Sequence, residues 1–221
     1  MTMLKGFYIN VDERVDRMNH FEKLKVKYDF FKNIKRLSEI KNSNGAMGCG
    51  ASHIEALTKL LEYDDDYFMV CEDDLCILND DNFNKFVKDF DNIKEDKKWD
   101  IIITTPSGDK IPGLPYHNFY RIHDNQTTTA YIIKKTFVPI LISNFKESVT
   151  ALINGGHPKT CAIDQWWKQL QSQYTFYYYK DMYAGQLVGF SNIENKHINY
   201  NVKGMSRKKR FDKKYSVFFF R

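Results

Sequence analysis

Three carboxylates in a row, Glu72, Asp73 and Asp74, sit inside the otherwise apolar run MVCEDDLCIL at residues 69–78. Burying an unpaired carboxylate costs several kcal/mol, so such a cluster needs water, a cationic partner or a metal ion. Hard oxygen donors suit Mg²⁺ or Mn²⁺, which keep several of their waters and bridge to phosphate oxygens. The plainer alternative is a solvated acidic turn that caps the next helix, and YDDDY at 63–67 and NDD at 79–81 are read in that way. Met69 and Val70 before the triplet, and Leu75, Ile77 and Leu78 after it, set CEDDL apart and favour the metal.

Two further segments carry groups that suit an anion. INVDERVDR follows a short apolar run and opens a helical pattern, where backbone N–H groups and the helix dipole favour negative charge, and Arg14 and Arg17 share a face one turn apart. Caps and surface pairs explain the same residues equally simply. In GAMGCGASHIEA, Gly45, Gly48 and Gly50 permit close backbone approach, and Ser52 and His53 stand in the first turn of the following helix. The segment is not GxGxxG in register and no P-loop lysine follows it. His53 is read either as a ligand contact or as a hydrogen-bonded histidine beneath the loop.

These residues need a scaffold, and the hydrophobic pattern describes one. LKGFYIN reads as a strand, and Val15, Met18, Phe21 and Leu24 recur at helical spacing after it. The glycine-rich segment reads as a turn into a helix lined by Ile54, Leu57 and Leu61. DYFMVCEDDLCIL is a buried strand with the acids at its end. Phe83, Phe86, Val87, Phe90 and Ile93 mark an amphipathic helix, and WDIIITT a further apolar strand. PSGDKIPGLPY is a loop, TTTAYIIKKTFVPILISNF a strand then a helix with Pro139 near its start, AIDQWW a helix beginning near Ile163, and YTFYYYK a strand. Continuous apolar strands between helices predict an α/β sheet covered on both faces.

The 221 residues are 43% hydrophobic and 15% aromatic, enough for one sizeable core and far from a disordered composition. Lys and Arg number 33 against 28 Asp and Glu, a mild excess that sits largely in SRKKRFDKK near the C-terminus and does not demand nucleic acid. Cys49, Cys71, Cys76 and Cys161 form no CxxC pair and no Cys/His ladder, and are read as reduced thiols of a cytoplasmic protein. No run approaches the roughly 20 apolar residues that a membrane helix needs.

The order FYINVDERVDR, GAMGCGASHIEAL, FMVCEDDLCI, TTAYIIKK and AIDQWW resembles glycosyltransferase family 25, the lipooligosaccharide and procollagen galactosyltransferases, from about residue 4 to about residue 195. The resemblance implies a GT-A fold with a mostly parallel, Rossmann-like central sheet, a UDP-sugar donor, Mn²⁺ or Mg²⁺, and transfer of galactose or glucose with inversion to a glycan or protein hydroxyl. It places Asn10, Asp12, Arg14 and Arg17 on the nucleotide-side motif, and Gly48, Ser52 and His53 on the second motif. Glu72, Asp73 and Asp74 fall on the acidic motif, with Glu72 and Asp73 among the nucleotide-sugar contacts and Asp74 and then Glu72 as metal ligands. Glu72 stands where many relatives have Asp, which makes Asp74 the safer ligand. It also places an acidic residue at Asp164, which makes that residue the catalytic base, beside Trp166 and Trp167, whose flat faces suit a sugar ring or a pocket wall. The alternative for this segment is Asp164 as a helix N-cap with both tryptophans in the core. His197, in a segment that matches only loosely, is the guess for a last metal or phosphate contact.

On this reading residues 1–221 form a single glycosyltransferase domain, with 1–105 the nucleotide-sugar and metal half and 106–221 the acceptor-side half. The basic tail is a lid over the diphosphate, a contact to an anionic membrane surface or, the preferred reading, a solvated segment. The competing functions are a Mg²⁺-dependent nucleotidyltransferase or nuclease, which also gathers acids, and a glycosyltransferase fold that binds a partner without turnover. A single compact acidic triplet, with no second acidic motif for a two-metal site, weighs against the nuclease.

Overall fold

The computed structural model describes residues 2–191 and 196–198. In chain order the strands and helices are β1 (Lys5–Asn10), α1 (Val15–Lys27), β2 (Asn33–Ser38), α2 (Gly45–Leu60), β3 (Tyr67–Glu72), β4 (Leu75–Ile77), α3 (Asp80–Ile93) and β5 (Ile101–Ile103). They continue with β6 (Asp109–Lys110), β7 (Phe119–His123), β8 (Ala130–Lys134), α4 (Val138–Ile153), α5 (Pro158–Cys161), α6 (Ile163–Trp166), β9 (Phe176–Tyr179), β10 (Ala184–Gln186), β11 (Gly189–Ser191) and β12 (Lys196–Ile198).

The pleat explains why the central strands read as unbroken apolar runs. Successive residues of a strand point to opposite faces. On β3, Met69 and Cys71 enter a core with α1 and α3, while Phe68 and Val70 enter a second core with α2 and α4. Both faces are buried, so no polar alternation survives. The first core is strongly aromatic: Phe30, Phe31, Phe83, Phe86 and Phe90 pack largely edge to face, with Phe31 and Phe83 stacked at 5.5 Å. The second is built mainly from Ile, Leu and Val around Trp167.

The main sheet has eight strands in the order β2-β1-β3-β8-β5-β9-β7-β6. β1 pairs in parallel with β2 and β3, and β5 with β9, whereas β8 runs antiparallel to both β3 and β5, and β7 to both β9 and β6. β2, β1, β3, β5, β9 and β6 therefore point one way, and only β8 and β7 oppose them. This is the helix-covered α/β sheet that the pattern predicts and the mostly parallel arrangement that the resemblance implies, with one reversed strand at its centre. Two small ladders, β4 with β10 and β11 with β12, stand outside it.

Three local readings are revised. The glycine-rich segment is not a turn but the opening of α2 itself, whose N-cap Asn44 accepts the Ala46 N–H at 3.1 Å. Its buried face is Ser52, His53, Ala56, Leu57 and Leu60, while Leu61 is exposed. β2 and β7, which expose much of their length and so lack an apolar run, emerge only in the structure. α3, with all five predicted apolar residues buried, and Pro139 in the first turn of α4 stand as expected.

Candidate active site

Open α/β sheets bind ligands outside the carboxyl ends of their parallel strands. The acidic triplet lies at that end of β3, and Asn10 ends the neighbouring β1. Because β8 is reversed, its leading residues reach the same edge: the Glu72 N–H donates to the Thr129 carbonyl at 2.7 Å, and the Thr128 hydroxyl donates to Glu72 Oε1 at 3.4 Å.

The three acids have three different surroundings. Asp73 is buried and fully engaged: Asn10 Nδ2 donates to it at 2.7 Å and Arg17 Nη1 at 2.8 Å. Arg17 also reaches Asp74 Oδ2 at 3.6 Å. Asp74 accepts from Gln186 Nε2 at 3.3 Å, and its backbone carbonyl takes the Leu187 N–H at 2.7 Å, so the β4–β10 ladder holds the turn. Its Oδ1 is buried with no hydrogen-bond partner among the described residues. Glu72 remains partly open, its side chain 28% exposed. Burial raises both Glu72 and Asp74 to about 7, with repulsion from Asp73 added on Glu72 and from Glu72 and then Asp73 on Asp74, against Arg17, which lowers both. A divalent cation fits this donor set: a carboxylate oxygen with no hydrogen-bond partner among the described residues, beside a partly open second carboxylate.

Glu39, just past β2, belongs to the same field. Burial, then Glu72 and Asp73, push it up to about 7. Nothing in its own sequence neighbourhood marks it.

The remaining candidates separate into braces and open groups. Asn10 is buried, takes Arg36 Nε on its Oδ1 at 2.8 Å and donates to the Arg14 carbonyl at 3.2 Å, which ties the strand end to the start of α1. Arg14 forks onto Asp16 at 2.9 Å through both Nε and Nη2. Asp12 accepts from Arg36 and, at 2.8 Å, from Ser38, yet its side chain stays 59% exposed. Ser52 is wholly buried, donating to the Gly48 carbonyl at 2.8 Å and accepting the Ile40 N–H at 2.7 Å. A Cβ on Gly48 would lie 2.7 Å from the Ile40 carbonyl oxygen, so glycine is what lets the β2–α2 connection lie against the helix.

His53 lies beneath the edge, fully buried. Its Nδ1 meets the Tyr131 hydroxyl at 3.1 Å, its Nε2 has no hydrogen-bond partner among the described residues and lies 3.7 Å from Glu72 Oε1, and burial lowers its pKa to about 3. The two sequence readings of His53 thus meet in one residue, one ring nitrogen hydrogen-bonded and the other unsatisfied.

Asp164 lies on α6, which packs close beside α2. A Cβ on Gly50 would meet Ile163 Cγ2 at 3.2 Å, so the glycine brings α6 close to α2. Asp164 is not the N-cap of α6: Ala162 holds that position, and Asp164 lies inside the helix. Burial raises its carboxyl to about 6 against the Gln165 amide, which donates at 3.2 Å, and Glu72 adds repulsion. Trp167 is core, its indole N–H on the Asn125 carbonyl at 2.8 Å, whereas Trp166 is partly exposed beside Glu147. Of the pair, then, Trp166 alone has a face to offer a ligand. His197 pairs with Phe190 across β11 and β12, and its side chain, like the basic tail, lies outside the described residues.

No protein-family model matches the sequence, and no curated protein sequence does, so family 25 stands as a resemblance of motifs. Solved structures do match. A glycosyltransferase involved in the glycosylation of the major capsid of PBCV-1 aligns with 94% of this chain and 100% of its own, at a TM-score of 0.53 and 12% identity. A197 from STIV aligns over 89% of this chain and 93% of its own at a TM-score of 0.49 and 14% identity. The UTP-bound UGPase from Acinetobacter baumannii aligns with 75% of this chain, which spans 59% of that longer one, at a TM-score of 0.40 and 9% identity. At such identities the likeness to the capsid glycosyltransferase shows the fold alone: a mixed α/β domain with a large, mostly parallel central sheet flanked by helices. Among the described residues no helix is long and apolar enough to cross a membrane.

Proposed function

We propose that the chain is a metal-dependent, inverting glycosyltransferase that moves a hexose, galactose or glucose, from a UDP-sugar to a hydroxyl of a glycan or protein acceptor. The observation that carries this reading is the buried, unpartnered Asp74 Oδ1 beside partly open Glu72 at the carboxyl edge of the sheet. On this reading Glu72 and Asp74 hold Mn²⁺ or Mg²⁺, which offsets the charge of the departing diphosphate. Asp73 is not a ligand here but a brace, since Asn10 and Arg17 consume both its oxygens and fix the turn that presents its neighbours. Asp12, exposed at the ends of β1 and β2, and the start of α1 form the nucleotide side.

Asp164 takes the proton. A carboxylate raised to about 6 is still ionised at neutral pH, yet is a stronger base than an ordinary aspartate. The acceptor oxygen bonds to the anomeric carbon on the face opposite UDP as the bond to the diphosphate oxygen breaks, its proton passes to Asp164, and UDP departs. Trp166 stands two residues on with an open indole face for a sugar. Calorimetric titration of UDP in Mn²⁺ and in EDTA tests the reading, together with transfer assays from UDP-galactose and UDP-glucose. Binding that requires the metal and is lost in Asp74→Asn is expected; equal UDP affinity in EDTA would overturn it.

A further inference from the structure

We infer that Cys49, His53 and Glu72 form a second, softer cation site of the zinc class. Cys49 and His53 are four residues apart on α2, hence on one face one turn apart. The pleat of β3 turns Glu72 to that same face, because Phe68 and Val70 point to the α2 side and Glu72 continues their alternation. One ligand atom from each of the three, Sγ, an imidazole nitrogen and a carboxylate oxygen, lies within 4.8 Å of the other two. Tetrahedral zinc takes such mixed thiolate, imidazole and carboxylate donors.

The histidine supplies the independent sign of a ligand. His53 is wholly buried, yet among the described residues its Nε2 has no hydrogen-bond partner, and it faces Glu72 across 3.7 Å, a cost that a native core does not usually leave standing. Its other nitrogen meets the Tyr131 hydroxyl, and a proton on Nδ1 donated to that hydroxyl leaves the Nε2 lone pair directed at Glu72, the second-sphere arrangement that orients metal-binding imidazoles. Cys49 and Glu72 are both partly exposed, so the site has an entry and room for water as a fourth ligand. Binding replaces the thiol proton with the ion and releases that proton, after which one thiolate and one carboxylate balance the two positive charges.

This site does not rest on the proposed transfer reaction, although it shares Glu72 with it: zinc bound here draws Glu72 from the hard-ion site. Titration of the full chain with Co²⁺ tests it spectroscopically. The expected result is visible bands of tetrahedral Co²⁺ with a near-ultraviolet thiolate charge-transfer band, both displaced by Zn²⁺. Cys49→Ser should remove the thiolate band and weaken Zn²⁺ binding by at least about tenfold, and Cys49→Ala, used if the serine variant folds poorly, should do the same. Cys76→Ser and Cys161→Ser should keep the band. Asp74→Asn should keep it too while losing Mn²⁺-dependent UDP binding, so the two sites fail separately. Co²⁺ bound without thiolate charge transfer, a band that vanishes with Cys76 instead, or Zn²⁺ affinity unchanged in Cys49→Ser would each overturn the site.

Discussion

The two ends of β3 carry acids of nearly the same composition and opposite fate. At its amino end Asp64 and Asp66 are exposed, and Asp65 pairs with Lys5 at 2.8 Å with both side chains well solvated. At its carboxyl end Glu72, Asp73 and Asp74 lie in or under the surface, Asp73 and Asp74 share Arg17, and Asp74 Oδ1 has no hydrogen-bond partner among the described residues. By composition alone the two acidic runs are alike, and only the apolar residues around CEDDL mark it in the sequence. What differs is position in a sheet whose parallel strands gather at one edge, where the reversed β8 and the β4–β10 ladder close over the turn. Charge at one end is solvated; at the other it is stored against a future counter-ion.

The sharpest break of that contrast is Asp74→Asn. On the proposed mechanism it reduces metal-dependent transfer to background, yet it should not unfold the protein. Asp74 rises from 3.8 to about 7 on folding. The native state therefore keeps a proton across that window which the unfolded chain releases, and metal-free stability falls as pH climbs through it. The neutral amide removes this cost, so above pH 7 in EDTA the melting temperature of the variant should equal or exceed the parent's. A melting temperature well below the parent's would show that Asp74 is a structural acid.

Next in size is Asp164→Asn, expected to lower turnover by about 10²–10⁴-fold with little change in UDP affinity. Parental turnover should rise with pH through about 6 as the carboxyl ionises, and the variant's profile should lose that limb. An identical profile in both would remove Asp164 from the chemistry, and since Asp164 is no N-cap, loss of a helix cap would not explain a change in rate.

Arg17→Ala tests the buried end as structure. It strips Asp73 of an ion-pair partner where both side chains are largely shielded, at 15% and 7% exposure. Breaking such a pair costs about 3 kcal/mol or more, which denaturant unfolding will register. The smallest effect belongs to the solvated end: Asp65→Asn should leave melting temperature and turnover at parental values, because an exposed pair contributes little. A large loss there would dissolve the contrast between the two ends.

What the sequence disclosed follows from burial. β1, β3, β5 and β9 are covered on both faces and α3 presents one unbroken apolar stripe, so each announces itself. α2 did so only in its second half: Gly45, Gly48 and Gly50 are poor helix formers and read as a turn, but the helix begins at Gly45, and Gly48 and Gly50 lie in close approach to Ile40, Val149 and Ile163. The acids were legible as a cluster, whereas their division into brace and open donors depends on Asn10, Arg17 and Gln186 arriving from three other elements. Cys49 belongs to no cysteine ladder in the sequence, because the groups near it, His53 and Glu72, lie one helical turn on and on a separate strand. Glu39 has no local signal at all.

The reversed strand at the centre of the sheet has a consequence for synthesis. β3 and β5 are close in the chain but touch only through β8, whose residues follow both by many positions. When a growing chain has emerged only as far as β5, the β2-β1-β3 row ends on an apolar edge with unpaired backbone groups, an invitation to foreign strands. Pairing must wait for residues 130–134, so the sheet closes late and through long-range contacts. A fragment of residues 1–105, although it carries every acid of the candidate metal site, is accordingly expected to aggregate when expressed alone and to be rescued by supplying the remainder of the chain.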